Sequence, residues 1–264
     1  MKTINPSELS PMQVQMILQT AVSPRPIALA STIDKNGNVN LSPFSFFNLF
    51  SSNPPILIFS PARRVRDNST KDTLHNVLEV PEVVIGNVNF DMVQQVSLSS
   101  TEYETGVDEF IKSGLTKNPA ELVKPPLIAE SPVNFECKVI EVKPLGNEGG
   151  AGNLVICEVL KIHIREEFLN EEGNLDQKKL DLVSRLGGNW YGRTTPETLF
   201  EVPKPLVTKG IGFDQLPSEI RNSKIFTGND LGMLANVEQL PEGNFSADEN
   251  LHLEAQKLLL EGKI

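Results

Sequence analysis

The sequence predicts a mostly β protein with short helices and a C-terminal extension, and three observations support this fold class. Between Ile27 and Ala62, runs rich in β-branched and aromatic residues alternate with turn residues, as in consecutive strands. Two longer runs of the same kind, at 133–147 and 153–168, flank a glycine-rich stretch. After Phe168 the apolar runs become sparse, which marks the start of the extension.

The length and composition are those of a folded, water-soluble chain. Of its 264 residues, 39% are hydrophobic, which is enough to bury the core of one large domain. We assign residues 1–170 to the β domain and residues 171–264 to an extension that packs on it or on a dimer partner. No stretch approaches the roughly 20 apolar residues of a membrane helix, and the start lacks the features of a signal peptide. We therefore expect a cytoplasmic protein without a membrane partner.

The charge balance disfavours nucleic acid as a partner. The formal net charge is −10, and acidic residues are most frequent toward the C-terminus, so long-range attraction to nucleic-acid phosphates is unfavourable. One basic cluster stands out locally, formed by Arg63, Arg64, Arg66 and Lys71. A small anionic ligand would suit it.

The first elements are a helix and three strands. Residues 8–20 carry apolar residues at helical spacing, which predicts a short amphipathic helix that plugs one end of the barrel formed by the strands. Strands are predicted at 26–34, 38–50 and 54–62. The Asn36–Gly37 pair predicts a type I′ hairpin turn, in which both central residues have positive φ.

The middle of the chain alternates helices and strands. A helix is predicted at 70–79, started by a Ser or Thr cap, with Asp72 in the first turn where an acidic group favours the helix dipole. A strand at 82–89 follows, and then helices at 90–100 and within 102–116, the last ending at a glycine.

The two long strands at 133–147 and 153–168 are predicted to pair as a second hairpin across the flexible, glycine-rich turn 146–153. Beyond them we expect a covering tail and an acidic amphipathic helix near 247–260.

Cysteine and histidine usage predicts no metal site. Cys137 and Cys157 each lie in a strand-like apolar run and are expected to be buried on neighbouring strands. The only histidines, His75, His163 and His252, are too scattered for a metal triad. The GxGxxG, GxxxxGK[ST], HExxH and GxSxG patterns do not occur, which disfavours a Rossmann or P-loop enzyme.

Two segments carry candidate binding chemistry, and each leaves two interpretations open. In 42–55, hydroxyls and the Asn48 amide interrupt an aromatic strand. This pattern suits either an ordinary strand with a phenylalanine core or contact with a planar aromatic ligand. In 60–73, basic side chains and hydroxyls precede a helix start, which suits either a solvated loop or a phosphate cradle.

The chain resembles the flavin reductase-like, FMN-binding split-barrel family over roughly residues 20–170. The segments that carry the resemblance are 24–32, 37–48, 53–55, 71–73, 106–110 and 125–137. A later segment, 185–191, is similar to one that follows the barrel in this family.

The resemblance implies a six-stranded Greek-key barrel, a homodimer with FMN near the subunit interface, and electron transfer from NADH or NADPH through the flavin. It makes residues 1–170 the FMN-binding split barrel. It also implies that Ser45 to Asn48 line the isoalloxazine and ribityl chain. The cofactor-binding residues implied by the resemblance are Arg25, Thr32, Ser45, Phe46, Phe47, Asn48, Ser51, Ser52, Ser60, Arg63, Arg64, Lys71, Asp72 and Thr73.

Three functional hypotheses follow from the resemblance. The first is an NAD(P)H-dependent flavin reductase, in which the flavin supplies the chemistry and no acid or base side chain is required. The second is a non-catalytic FMN carrier or redox sensor that acts through a partner. The third is another reaction on the same barrel, such as reduction of a small organic substrate. Trp190 or Tyr191 either shields the flavin ring or packs the tail onto the barrel.

Overall fold

A computed structural model describes residues 1–240 together with residues 257 and 258. The helix predicted at 247–260 therefore lies outside the described residues, apart from those two positions. The strands are β1 Ala28–Ile33, β2 Val39–Phe44, β3 Phe47–Ser52, β4 Pro55–Phe59, β5 Glu82–Gly86, β6 Lys117–Asn118, β7 Leu127–Ile128, β8 Val133–Pro144, β9 Asn153–Ile164, β10 Val183–Arg185 and β11 Tyr191–Arg193.

The helices are short, as predicted. The α-helices are α1 Pro11–Ala21, α2 Asp72–Glu79, α3 Val93–Leu98, α4 Glu109–Ser113, α5 Gln177–Leu180, α6 Ser218–Arg221 and α7 Gly228–Leu234. Single turns of 3-10 helix span Pro6–Glu8, Phe90–Met92, Glu166–Phe168, Pro196–Thr198 and Phe213–Gln215. The predicted mostly β class is confirmed.

The main sheet curls into a barrel because its two edge strands are neighbours in sequence. Seven strands pair in the order β2-β1-β5-β8-β9-β4-β3, and every pair is antiparallel. Only Ser45 and Phe46 separate β2 from β3, so the two edges of the sheet meet at this bend. The segment predicted as one strand at 38–50 is thus two strands with a sharp change of direction between them.

The hairpin joining β1 and β2 is confirmed, but its predicted type I′ turn is wrong. The turn closes through the Gly37 N–H, which donates to the Asp34 carbonyl at 3.1 Å. Gly37 has φ 86°, whereas Asn36 is not at positive φ. Asp34 explains the difference, because its carboxylate accepts the N–H groups of Asn36 and Asn38, both at 2.8 Å, and so imposes a longer loop.

Two apolar clusters cover opposite faces of β1, which is buried along its whole length. One cluster combines residues of β1, β4, β5, β8 and β9 with Leu74 and Val77 of α2. It contains Cys137 and Cys157, whose predicted burial on neighbouring strands is confirmed. The other cluster includes Leu29 of β1 and packs the barrel against α3 and α4.

A buried carboxylate fastens the loop between β6 and β7 to β8. Glu136 is fully buried, and it accepts the backbone N–H groups of Glu121, Leu122 and Val123 at 2.6–3.0 Å. His163 of β9 lies 2.6 Å away through its Nε2 atom. Burial acts to raise the pKa of Glu136, but the Glu121 N–H, the His163 bond and the two further N–H groups hold it below its ordinary value.

Two predictions about the helices are wrong. No residue of α1 is buried, so this helix does not plug the barrel. Helix α2 has no side-chain cap, and its N-cap residue is Lys71. The predicted cap is missing because Thr70 places its hydroxyl 2.7 Å from His75 Nε2 instead.

The chain divides into two compact units, residues 1–199 and 200–264. This division falls later than residue 170 because Arg25 and Arg185 form an isolated bridge that ties the β10–β11 hairpin to the strand-bearing unit. The second unit has a small apolar core of its own around Leu216 and Leu231.

Candidate functional site

The arginine loop, residues 60–71, connects β4 to α2 and carries the basic cluster seen in the sequence. It rests on the glycine turn, residues 146–153, between β8 and β9. The Arg63 N–H donates to the Ala151 carbonyl at 2.8 Å, and the Gly150 N–H donates to the Arg63 carbonyl at 2.9 Å. Asn68 adds a side-chain bond to the Asn147 carbonyl at 2.9 Å. The backbone of the arginine loop is therefore fixed by a second segment.

Close packing explains the glycines of that turn. A Cβ atom on Gly149 would lie 3.0 Å from the carbonyl oxygens of both Arg64 and Val65. Gly150 has φ 93°, a conformation that L side chains rarely adopt. The sequence predicts a flexible turn here, whereas the structure shows one docked on the arginine loop.

The arginines share one acidic partner. Glu102 accepts from Arg64 Nε at 2.8 Å and from Arg66 at 3.1 Å. Arg64 also donates to the Ser69 hydroxyl at 2.9 Å. Arg63 differs, because its Nε is buried and has no hydrogen-bond partner within the described residues.

Lys71 is half-buried, and its ammonium group has few hydrogen-bond partners. Its Nζ atom donates to the Ser42 hydroxyl at 3.2 Å and lies 5.3 Å from the centre of the Phe44 ring. In residues 1–240, no carboxylate oxygen lies within 4 Å of this nitrogen. Burial lowers the pKa of Lys71, and Arg64 lowers it further, while Glu102 and Glu109 oppose them.

The start of α2 offers backbone donors next to Lys71. A helix without a side-chain cap leaves its first N–H groups available to an anion. A buried chain of polar groups lies behind it. Thr73 Oγ1 donates to Asn40 Oδ1 at 2.7 Å, and Asn40 Nδ2 donates to Glu109 at 2.9 Å. Burial raises the pKa of Glu109, and the bonds from Leu41 and Asn40 oppose this rise.

Two cavities of opposite character adjoin along the Arg64–Glu102 pair. The larger has a volume of about 910 Å³ and is lined by Pro6, Ser7, Leu9, Pro11, Met12, Val14, Gln15, Leu18, Phe46, Ala62, Arg63, Arg64, Val65, Arg66, Glu102, Gly149 and Gly150. The smaller has about 30 Å³ and is lined by Asn40, Ser42, Arg64, Lys71, Asp72, Thr73, Ser99, Ser100, Thr101, Glu102, Tyr103 and Glu109. One is largely apolar and the other is polar.

A third cavity, of about 160 Å³, lies at the bend between β2 and β3. Ser45 lines it together with Pro43, Ser97 and Tyr191. Arg185 stacks on the Tyr191 ring, with 4.4 Å between the guanidinium carbon and the ring centre. The side chain of Trp190 is 76% exposed, so in this structure it neither packs the tail onto the barrel nor covers a cavity.

The structure thus brings together six of the predicted site residues around the two adjoining cavities: Phe46, Arg63, Arg64, Lys71, Asp72 and Thr73. Seven others line none of the three cavities: Arg25, Thr32, Phe47, Asn48, Ser51, Ser52 and Ser60. Their placement at the flavin remains a prediction.

Arg25 and Thr32 already have internal partners. Arg25 is buried, and its guanidinium donates to the carbonyls of Gln19, Val22 and Leu186. It thereby fastens the end of α1 and the β10–β11 hairpin to the barrel. The Thr32 hydroxyl accepts from the Asn76 side chain at 3.1 Å.

Phe47, Asn48 and the three serines lie along β3 and at the end of β4. Phe47 packs against the barrel core, and Asn48 is exposed with its side chain bonded to the Leu49 N–H. Ser60 is buried beneath Gly152. Ser51 and Ser52 pair with Ile56 and Pro55 at the far end of the β3–β4 hairpin.

Sequence reasoning missed Asn40, Glu102, Glu109 and Gly149, and it placed Ser42 only within the candidate segment 42–55. The alternation of side chains along β2 could have indicated part of the site, because Asn40, Ser42 and Phe44 lie on the same face of the strand. The others come from separate segments and meet only through tertiary folding.

The arrangement fits a ligand that is aromatic at one end and anionic at the other. Within residues 1–240, Lys71 has no carboxylate partner and the buried Arg63 Nε has no hydrogen-bond partner, and α2 starts without a side-chain cap. The Lys71 ammonium and the first N–H groups of α2 can thus donate to a phosphate. The larger cavity offers the apolar surface that a planar ring needs.

A metal site and a reactive cysteine both find no support in the described part of the chain. No group of three or more His, Cys, Asp or Glu residues there could hold a metal ion. Burial raises the pKa of Cys137 to about 12, and it also raises that of Cys157, so both thiols are held protonated.

Among the described helices, none is both long and apolar enough to cross a membrane.

Comparison with known proteins finds relatives over most of the chain. Residues 21–181 match the profile of the flavin reductase-like domain. An uncharacterised protein from Halalkalibacterium halodurans is 38% identical over 208 residues, which cover 78% of this chain and 98% of the relative.

Solved structures agree. Nitrilotriacetate monooxygenase component B from Bacillus cereus aligns with a TM-score of 0.71 and 27% identity, over 76% of this chain and 98% of its own. 2-Nitrobenzoate 2-nitroreductase NbaA from Pseudomonas fluorescens aligns with a TM-score of 0.68 and 27% identity, over 79% and 100%. The predicted split-barrel fold is confirmed.

Proposed function

Because the chain belongs to the flavin reductase-like domain family, we propose that it binds FMN and passes electrons through it from NADH or NADPH. The observation that carries this proposal is the pair of adjoining cavities, one apolar and one polar, that share Arg64 and Glu102. FMN has the same two parts, an aromatic ring system and a phosphate.

The phosphate end of FMN is proposed to bind at the start of α2. Lys71 would supply a charged donor, and the uncapped first turn of α2 would supply backbone N–H groups. Arg63 and Arg64 would add guanidinium donors, which suit the geometry of phosphate oxygens. The cost of burying Lys71 without a carboxylate partner would then be offset by the ligand.

The ring end is proposed to lie in the larger cavity, against Phe46 and Val65. Met12 and Leu18 of α1 line the same cavity, so α1 would cover the ring and exclude water rather than plug the barrel. Stacking against an aromatic side chain and a dry wall favours a planar ligand.

Bound FMN would supply the redox chemistry, as it accepts hydride equivalents and gives them up to an acceptor. The residues of the chain hold and orient the cofactor. The donors of these residues would hold the phosphate, and the apolar wall would hold the ring. The glycine turn would keep the arginine loop in the position that both contacts require.

We also propose that the protein is a homodimer. Exposed apolar side chains lie on α1 and on β3, including Met12 and Met16 on the helix and Leu49 and Phe50 on the strand. Exposed apolar surface of this kind favours association. Sedimentation equilibrium tests this point, and a monomer at micromolar concentration would contradict it.

The test of the function is an absorbance spectrum of the purified protein followed by anaerobic addition of NADH and then NADPH in the same cuvette. Flavin bands that bleach promptly are the expected result. A protein that is colourless and also ignores added FMN would contradict the proposal.

Two alternatives predict other outcomes of the same experiment. A non-catalytic FMN carrier or sensor would show flavin bands that persist with both nucleotides. An enzyme that reduces a small organic substrate would bleach and then recover its bands when that substrate is added. The structural similarity to a 2-nitrobenzoate nitroreductase makes nitroaromatic compounds the first class to add.

A further inference from the structure

The smaller cavity cannot admit a phosphate in the observed arrangement. Its volume of about 30 Å³ is enough for only about two water molecules. Glu102 lines both this cavity and the larger one, as Arg64 does. The Glu102 carboxylate therefore stands between the ring site and the cationic end of the site.

The Glu102 carboxylate also occupies the donors that an incoming anion would use. It accepts from Arg64 and Arg66 at 2.8 and 3.1 Å, as a phosphate oxygen would. The bonds from Arg66 and Arg64 hold the pKa of Glu102 below its ordinary value, so it is charged at neutral pH. About half of its side chain is exposed, so on release it can return to water at little cost.

We infer that Glu102 is an internal competitor of the flavin phosphate, one that leaves the arginines when FMN binds and so tunes the affinity for phosphorylated flavins. This inference rests on the proposed function. Because Glu102 repels a dianion and withholds Arg64 and Arg66 from it, the affinity for FMN is lower than the cationic loop alone would give. Riboflavin lacks the phosphate and does not compete with Glu102.

The experiment measures the dissociation constants of FMN and riboflavin for wild type and Glu102→Gln by flavin fluorescence. Glu102→Gln should bind FMN about tenfold more tightly, because removing one nearby charge at a protein surface changes binding by about 1.4 kcal/mol. Its affinity for riboflavin should stay the same. Glu102→Ala is a second variant with the same expected direction.

Glu104→Gln is the matched control. Glu104 is exposed two residues away on the same loop, and in residues 1–240 it has no ion pair. This variant removes the same charge without freeing an arginine and should leave FMN affinity close to wild type.

The outcomes separate the inference from the proposed function. FMN affinity that is unchanged or weaker in both Glu102 variants would overturn the inference, as would an equal gain in Glu104→Gln or an equal gain for riboflavin. A wild-type protein that binds neither flavin would overturn the proposed function, and the inference with it.

Discussion

Two charged groups of the barrel unit are satisfied in very different ways. Glu136 is fully buried and has four internal hydrogen-bonding partners, three backbone N–H groups and His163. Lys71 is half-buried and has one hydroxyl and the face of one aromatic ring. A buried charge with a full set of partners holds the fold together, whereas one with too few is free to bind a ligand. From this contrast we propose that Glu136 is structural and that Lys71 binds the ligand.

Removal of the Glu136 carboxylate should have the largest effect on stability. In Glu136→Ala, three backbone N–H groups, of which that of Val123 is buried, lose their acceptor and His163 loses its partner. We expect the free energy of unfolding to fall by about 3 kcal/mol, which is typical when one partner of a buried charged network is removed. Urea denaturation measures it. Glu141→Ala, at an exposed position on the same strand, should change it little, and equal losses in both variants would contradict the contrast.

Removal of the Lys71 charge should act on binding instead. Lys71→Met keeps an apolar stem over Phe44 but deletes the ammonium group, which is expected to be a charged donor to the phosphate. The dissociation constant for FMN should rise about 30-fold, equivalent to about 2 kcal/mol, with no loss of stability. Riboflavin affinity should not change, and the control is Lys138→Met at an exposed site on β8. A large loss of stability in Lys71→Met would make this lysine structural.

A smaller effect is expected where the glycine turn meets the arginine loop. In Gly149→Ala the new methyl group meets two backbone carbonyls at 3.0 Å, so the arginine loop must shift. We expect FMN affinity to fall about fivefold, in line with about 1 kcal/mol for overpacking at a close contact. Fluorescence titration measures it. Gly228→Ala, where an added Cβ meets nothing within 4 Å, is the control, and equal affinities for Gly149→Ala and wild type would disprove the close fit.

The smallest effects concern pH, and in both regions the free energy of unfolding rises with pH, although the Glu136 carboxylate stabilises the fold and the buried Lys71 charge destabilises it. The folded pKa of Glu136 lies below its ordinary 4.5, so its stabilising contribution is complete above that pH and is lost as pH falls through the lowered value. The folded pKa of Lys71 lies below its ordinary 10.5, so its burial cost is present at neutral pH and is relieved as pH rises.

Stability differences between variants isolate these two contributions. The gap in unfolding free energy between wild type and Glu136→Gln should narrow below about pH 4.5. The gap between wild type and Lys71→Met should narrow as pH approaches 10.5. Urea denaturation across pH measures both differences. Differences in unfolding free energy that stay constant with pH would contradict the lowered pKa values of Glu136 and Lys71.

The barrel could be predicted because its signals are local. Alternating strands, the hairpin between β1 and β2 and the pair of long strands all follow from residue patterns within single segments. The bend at Ser45 and Phe46 could not, since the aromatic run continues through it without a break in pattern. The type of the first turn depends on Asp34, which lies outside the Asn36–Gly37 pair on which the prediction was based.

The site was predictable only in part, for a related reason. The basic loop and the start of α2 are contiguous in sequence, so Arg63, Arg64 and Lys71 were found together. Glu102 and Gly149 reach the same place from segments far along the chain, and neither carries a local signature of binding. Arg25 shows the opposite error, in which a predicted binding residue has a structural role. It lies in a segment that resembles the family, but its guanidinium donates to three backbone carbonyls of its own chain.

The order of the strands has a consequence for how the protein is made. Strand β4 pairs with β9, and Ile56 lies opposite Glu158, 102 positions later in the chain. During synthesis the β3–β4 hairpin therefore waits, with one apolar edge unpaired, until about a hundred further residues have left the ribosome, a matter of roughly 5–20 s. The glycine turn that supports the arginine loop arrives in the same late hairpin. Until then the nascent chain carries an unpaired strand edge, the kind of surface that is prone to aggregation, and the arginine loop lacks its support.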